Sequence, residues 1–195
     1  ILADACQAHG AALDGHRAGS LADVAAFSFY PSKNMTVAGD GGMVTTDDPD
    51  ISAAVDSLRD VGRGEGPTAH PRMGYTARMD TTNAAVGLRQ LMHLEDWNKR
   101  RREVAAAYFE GLNHVGDLVL PPESGPDRTP AWYLYVVRTE QRDALADHLE
   151  LTGIETGVHY ETPVHLHPPY RELGFSEGDF PAAERWAKEV LSLPI

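Results

Sequence analysis

The sequence predicts an α/β protein: a portion of a layered strand-and-helix domain running to about residue 112, followed by a smaller α+β domain. Three observations carry this expectation. Short apolar runs at residues 1–3, 24–29 and 42–46 have the length and the β-branched or aromatic content of strands. An apolar stripe at helical spacing runs from Ala84 and Ala85 through Leu88, Leu91 and Met92 to Ala105, Tyr108 and Leu112. Beyond Gly116 the texture changes to short strands, loops and two helical segments, which reads as a small α+β unit.

Taken in order, residues 1–4 read as the end of a buried strand, residues 24–29 as a second and residues 42–46 as a third, separated by loops rich in Gly and Asp. Residues 50–59 set Ile51, Ala54, Val55 and Leu58 at helical spacing, with Gly62, Gly64, Gly66 and Pro67 as breakers beyond them. The G-R-G-E-G run here is not a dinucleotide fingerprint, since it follows a helical pattern and opens no helix. Asp80 is the expected N-cap of the long helix, with a bend expected near Glu95. The second domain, residues 113–195, should carry strands at 118–120, 132–137 and 156–160 and helices at 141–151 and 181–191.

Composition narrows the function classes. With 29 acidic against 17 basic residues the formal charge is −12, which repels nucleic acid. No apolar stretch is long enough to span a bilayer. A single cysteine, Cys6, excludes an internal disulfide and any multi-cysteine metal site within the chain, and fits a reducing, cytoplasmic setting. The run Arg100, Arg101 and Arg102 reads as a solvated helix face paired with Glu95, Asp96 and Glu103. Only three of the basic residues are lysines (Lys33, Lys99 and Lys188), and this acidic, lysine-poor surface suggests adaptation to high salt.

Lys33 is therefore a scarce residue, and it follows an aromatic strand in F-S-F-Y-P-S-K-N. Asp4 and Gln7 lie at the end of the first strand, where ligands of open α/β sheets bind, and Ser28 and Lys33 lie at the end of the next. A flexible G-D-G-G turn at residues 39–42 should let the backbone close on a bound group. Singly, Asp4 reads as a turn cap, Ser28 as a partner for a backbone group and the glycines as turn residues. Together they read as a site.

The segments A-D-A-C-Q-A-H-G-A, S-F-Y-P-S-K-N, G-D-G-G-M-V-T-T-D-D, M-G-Y-T-A-R-M-D, G-V-H-Y-E-T-P-V-H-L-H-P-P-Y, G-D-F-P-A-A-E and L-S-L-P-I closely resemble the DegT/DnrJ/EryC1/StrS family of pyridoxal-phosphate-dependent nucleotide-sugar aminotransferases. The resemblance covers essentially the whole chain. It implies the α/β fold of fold-type I (aspartate aminotransferase-like) enzymes, with residues 1–112 as the C-terminal part of a mainly parallel, three-layer large domain and residues 113–195 as most of the small domain. It further implies a Schiff base between Lys33 and pyridoxal 5'-phosphate, Asp4 on the pyridine nitrogen, Gln7 against the ring, Ser28 on the phosphate, and a homodimer with shared sites. The resemblance likewise implies amino transfer from glutamate or glutamine to a keto-sugar nucleotide.

Thr76 stands where relatives often carry an asparagine that reaches the phosphate across the subunit boundary, and Tyr133 stands where they commonly carry histidine. By resemblance His159 and Tyr160 face the nucleotide-sugar and His165 approaches the active site; packing within the protein is their alternative role. Two histidines two residues apart, His165 and His167, point to opposite faces of an extended segment and do not suggest a metal site. The resemblance also implies a longer parent, with about half of the chain ahead of Ile1. Alternatives are a sugar dehydratase of the same fold, against which Lys33 and the lone Cys6 argue, and a catalytically incomplete or regulatory relative.

Overall fold

In the computed structural model the described residues are 1–66 and 68–195; Pro67, one of the breakers read above, lies outside them. Two compact units result, Ile1–Arg102 with Ser124–Tyr133, and Glu103–Glu123 with Leu134–Ile195. Their division falls inside the long helix, ahead of residue 112.

The first unit holds β1 (Leu2–Asp4), β2 (Ala12–Leu13), β3 (His16–Arg17), β4 (Val24–Ser28), β5 (Gly42–Thr46), α1 (Pro49–Arg59), α2 (Thr81–Leu91), the start of α3 (Leu94–Leu112) and β6 (Arg128–Thr129). Its main sheet has the order β1-β4-β5. β1 runs parallel to β4, with Asp4 opposite Ala26, whereas β5 is antiparallel, with Ser28 opposite Gly42. The mainly parallel expectation thus holds for β1 and β4 and fails for β5. The β4–β5 connection contains no helix to serve as a crossover, and it folds straight back so that Phe29 N–H donates to the Gly41 carbonyl at 2.8 Å.

Phe29, Met35, Val37 and Leu94 form a buried cluster, with Phe27 and Met79 packed against it. α1 starts where the Asp48 carboxylate accepts the N–H groups of Asp50 (2.8 Å) and Ile51 (3.1 Å), with Pro49 at its first turn. The helical stripe is interrupted at Met92 and His93, just before the expected bend at Glu95. A small sheet of order β3-β2-β6, absent from the sequence reading, closes around the Asp14-Gly15 hairpin turn, where φ is 50° and 79°. Its pairing of Ala12 with Thr129 and Leu13 with Arg128 returns the segment 124–133 to this unit.

In the second unit β7 (Tyr135–Arg138) leads to α4 (Arg142–Leu151), a 3-10 turn (Val164–Leu166), α5 (Pro168–Arg171), α6 (Pro181–Glu189) and β8 (Val190–Leu193). Residues 190–193 are a strand rather than the end of the last helix, because Leu191 and Ser192 pair with Val137 and Val136 of β7. Tyr135, Val137 and Leu191 are its most deeply buried side chains. The strands expected at 118–120 and 156–160 reduce to single bridges, Val119 with Arg138 and Gly157 with Ser192. Pro121, lacking an N–H, stops the first from extending. Among the described residues no helix is long and apolar enough to cross a membrane.

Candidate functional site

The parallel pairing of β1 with β4 sends both chains out at one end of the sheet, and the pairing is prolonged by Ala5 N–H donating to the Ala26 carbonyl at 2.9 Å. At that end the Asp4 carboxylate accepts the Cys6 N–H at 3.0 Å. The Cys6 thiol and N–H, helped by the Lys33 charge, hold the Asp4 carboxyl below its ordinary range. Reciprocally the Asp4 carboxylate, with burial, pushes the Cys6 thiol up, so this cysteine stays a neutral donor. The thiol also lies 3.6 Å from the Ala26 carbonyl. Gln7 follows in the turn closed by Ala8 N–H on the Ala5 carbonyl (3.0 Å), and its side chain is exposed.

Lys33 is placed by a turn that its sequence dictates. Pro31 presets the bend, and the Lys33 N–H donates to the Tyr30 carbonyl at 2.9 Å. Ser28 Oγ accepts the Tyr30 N–H at 3.3 Å, which leaves its hydroxyl hydrogen free to donate. Asp4 and Ser28 therefore both perform the ordinary local roles open to them, and they do so beside Lys33.

Several residues were not anticipated as neighbours of Lys33. His9 is buried against Phe27 and Phe29, with ring centroids at 5.4 and 5.9 Å, and burial keeps it neutral despite a hydrogen bond with the Ser28 backbone. Its Nε2 is buried without a hydrogen-bond partner. Asn34, next to Lys33, donates through Nδ2 to the Ala131 carbonyl (2.6 Å) and to Asn98 Oδ1 (2.9 Å), and Asn98 Nδ2 donates to the His9 carbonyl (2.6 Å). Tyr133 lies under the Lys33 ammonium, 4.5 Å from Nζ to the ring centroid, and its hydroxyl is 2.9 Å from Ser32 Oγ.

The arginine run is only partly a solvated face. Arg102 pairs with Glu95 at 2.9 Å, but Arg101 turns inward, donating to the carbonyls of Trp132 (3.0 Å) and Tyr133 (3.5 Å). These carbonyls replace part of the water it loses on burial. The G-D-G-G turn is packed within the protein. A Cβ on Gly42 would sit 2.8 Å from the Phe27 carbonyl oxygen, and one on Gly41 would meet Val37 at 2.8 Å and Met79 at 3.1 Å. Glycine is demanded at these two positions by the protein's own packing.

Thr76 is exposed and pairs with Asp60 in a single bridge beyond α1, and Arg78 forms an ion pair with the same Asp60. No hydrogen bond among the described residues ties Thr76 to Asp4, Ser28 or Lys33. In the second unit His159 Nδ1 lies 2.8 Å from Ser192 Oγ, and Tyr160 beside it is exposed. His165 is buried, with Nε2 2.9 Å from Glu184 Oε1. Burial alone would raise the Glu184 carboxyl, but the N–H groups of Gly178 and Phe180 and the His165 ring together hold it below its usual range.

The family model for the DegT/DnrJ/EryC1/StrS aminotransferase family matches residues 1–195. A dTDP-3-amino-3,4,6-trideoxy-alpha-D-glucose transaminase of Streptomyces venezuelae is 46% identical over 195 residues, which is all of this chain and 51% of that protein. The erythromycin biosynthesis sensory transduction protein EryC1 of Saccharopolyspora erythraea is also 46% identical over 195 residues, 53% of its length. The crystal structure of DesV from S. venezuelae in complex with a ketimine intermediate superposes with a TM-score of 0.94 at 46% identity, covering all of this chain and 52% of that one. The chain spans about half the length of the curated relatives it matches. A match over every residue, on a mixed α/β structure with the fold-type I neighbour's arrangement, means that the chain belongs to the DegT/DnrJ/EryC1/StrS aminotransferase family.

Proposed function

We propose that this chain forms part of a pyridoxal-phosphate-dependent aminotransferase that moves an amino group from glutamate or glutamine onto the keto group of a nucleotide-linked sugar. The observation that carries the reading is a carboxylate, Asp4, at the end of β1 within the electrostatic reach of a primary amine, Lys33, on the turn that follows the adjacent parallel strand β4. The residues fit the cofactor. Asp4 is held ionised by Cys6 and so offers an acceptor able to keep a pyridine nitrogen protonated. Ser28 retains a hydroxyl hydrogen for a phosphate oxygen, and Gln7 is exposed at the same strand end. Bound pyridoxal phosphate supplies an electron sink for carbanion charge. Lys33 is the side chain able to anchor an aldehyde and, when released, to take up and return a proton.

On the same reading Thr76 reaches the phosphate of a second subunit in a homodimer. Support comes from its neighbours: Met73 and Tyr75 are 94% and 73% exposed, which favours coverage by another surface. His159 and Tyr160 face the nucleotide-sugar, His165 approaches the active site, and the residue break between the domains is taken near 112. The lone, reduced Cys6 supports a cytoplasmic enzyme, and the acidic surface supports one adapted to high salt. The test is reduction of the full-length protein with borohydride after loading with pyridoxal phosphate. Covalent label should appear on the peptide containing Lys33 and vanish in Lys33→Ala; label on Lys99 or Lys188 instead overturns the reading.

A further inference from the structure

We propose that Tyr133 is a positioning residue for Lys33: its ring seats the Lys33 ammonium, and its hydroxyl ties the Lys33 turn to a rigidly held segment. Three consecutive residues of one loop, Ser32 to Asn34, meet Ala131 and Tyr133 of another, all within the first unit. Ser32 Oγ lies 2.9 Å from the Tyr133 hydroxyl, Lys33 Nζ lies 4.5 Å from the centre of the Tyr133 ring, and Asn34 Nδ2 donates to the Ala131 carbonyl at 2.6 Å. An ammonium at that height is attracted to the negative face of the ring.

The segment bearing Tyr133 is itself constrained. Trp132 has φ of 47°, a left-handed conformation that a bulky side chain adopts only where its surroundings impose it. Those surroundings are Arg101, which grips the Trp132 and Tyr133 carbonyls, and Asn34, which grips that of Ala131. Asn34 is anchored in turn through buried Asn98 to the His9 carbonyl. A lysine has a long, freely rotating stem, so an amine that must exchange protons at a defined place needs a seat when it is not covalently engaged. The Tyr133 ring supplies one on a backbone held by Arg101 and Asn34, and the Ser32 contact holds its hydroxyl end.

This inference rests on the reading of Lys33 as the reactive amine, but its test reads the seat alone. Full-length protein stripped of cofactor is treated with limiting acetic anhydride at fixed pH, and acetylation of Lys33 is measured against Lys99 and Lys188 as internal references. Loss of the ring in Tyr133→Leu should raise the relative acetylation of Lys33 by about threefold. Tyr133→Phe keeps the ring and loses only the Ser32 bond, so it should remain within about 1.5-fold of the parent protein. Should Tyr133→Leu lose its native circular dichroism, Tyr133→Gln carries the same threefold expectation. On reloading with cofactor, kcat of the ring-less variant should fall about tenfold with KM little changed, the signature of a misplaced group rather than lost binding. Unchanged Lys33 acetylation in a folded ring-less variant, or an equal rise in Tyr133→Phe, overturns the proposal. Failure of the borohydride labelling would instead overturn the role of Lys33.

Discussion

Asn98 is the fully buried polar residue on which the Lys33 loop is hung, and its removal has a calculable cost. In Asn98→Ala two hydrogen bonds disappear, one to the His9 carbonyl at 2.6 Å and one from Asn34 at 2.9 Å. At about 1 kcal/mol net each, with about 1 kcal/mol more for a His9 carbonyl left without its donor, the loss is about 3 kcal/mol before any cavity contribution. Asn34 keeps its bond to Ala131, so the loop should loosen rather than detach. Urea unfolding of the full-length protein, followed by fluorescence and circular dichroism with the slope compared between variants, measures this directly. Asn98→Asp refines the test: it preserves an acceptor for Asn34 but confronts the His9 carbonyl with a buried charge. Burial raises that carboxyl's pKa, so the deficit relative to the parent should be greatest at neutral pH and shrink as pH falls and the group protonates. A loss below about 1 kcal/mol for Asn98→Ala would mean that the network is incidental to the fold.

Two further outcomes are expected. Asp4→Ala should leave cofactor binding partly intact while kcat drops by roughly 100-fold, since the proton on the pyridine nitrogen is no longer held; an unaltered kcat refutes this role. Thermal unfolding of the full-length protein should shift upward as potassium chloride rises through the molar range, given 29 acidic residues beside 17 basic ones, and a salt-independent midpoint removes the idea of high-salt adaptation.

What was legible in the sequence was local. The strand at Val24–Ser28, the return strand at Gly42–Thr46 and the helix capped at Asp48 each carry their own signal in apolar spacing and punctuation. Asp4, Ser28 and Lys33 could be placed at a common sheet end because they follow short apolar runs. The β3-β2-β6 sheet escaped because its strands are two residues long, too short for any period, although Asp14-Gly15 is a hairpin signal in its own right. The closing strand escaped because Val190 and Leu191 continue a helical pattern, and only pairing with β7 decides for the strand. His9, Asn98, Arg101 and Tyr133 were invisible as neighbours of Lys33 for the same reason. Each is brought there by contacts far apart in the chain, such as that between Asn34 and Ala131.

The electrostatics near Lys33 divide the labour between a fixed and a movable group. Cys6 is kept protonated by Asp4, and His9 is kept neutral by burial, so neither competes with the carboxylate or the amine for a proton. Asp4 sits on a strand, with its oxygen locked to the Cys6 N–H, and cannot follow a moving partner. Lys33 sits past a strand end, on a proline-directed turn whose backbone is held through Asn34 while its amine lies over the face of a ring. A ring contact constrains position without demanding the single directed geometry of a hydrogen bond. That combination, a rigid backbone under an amine that is lightly retained, suits a group that must bond, let go and return to the same place.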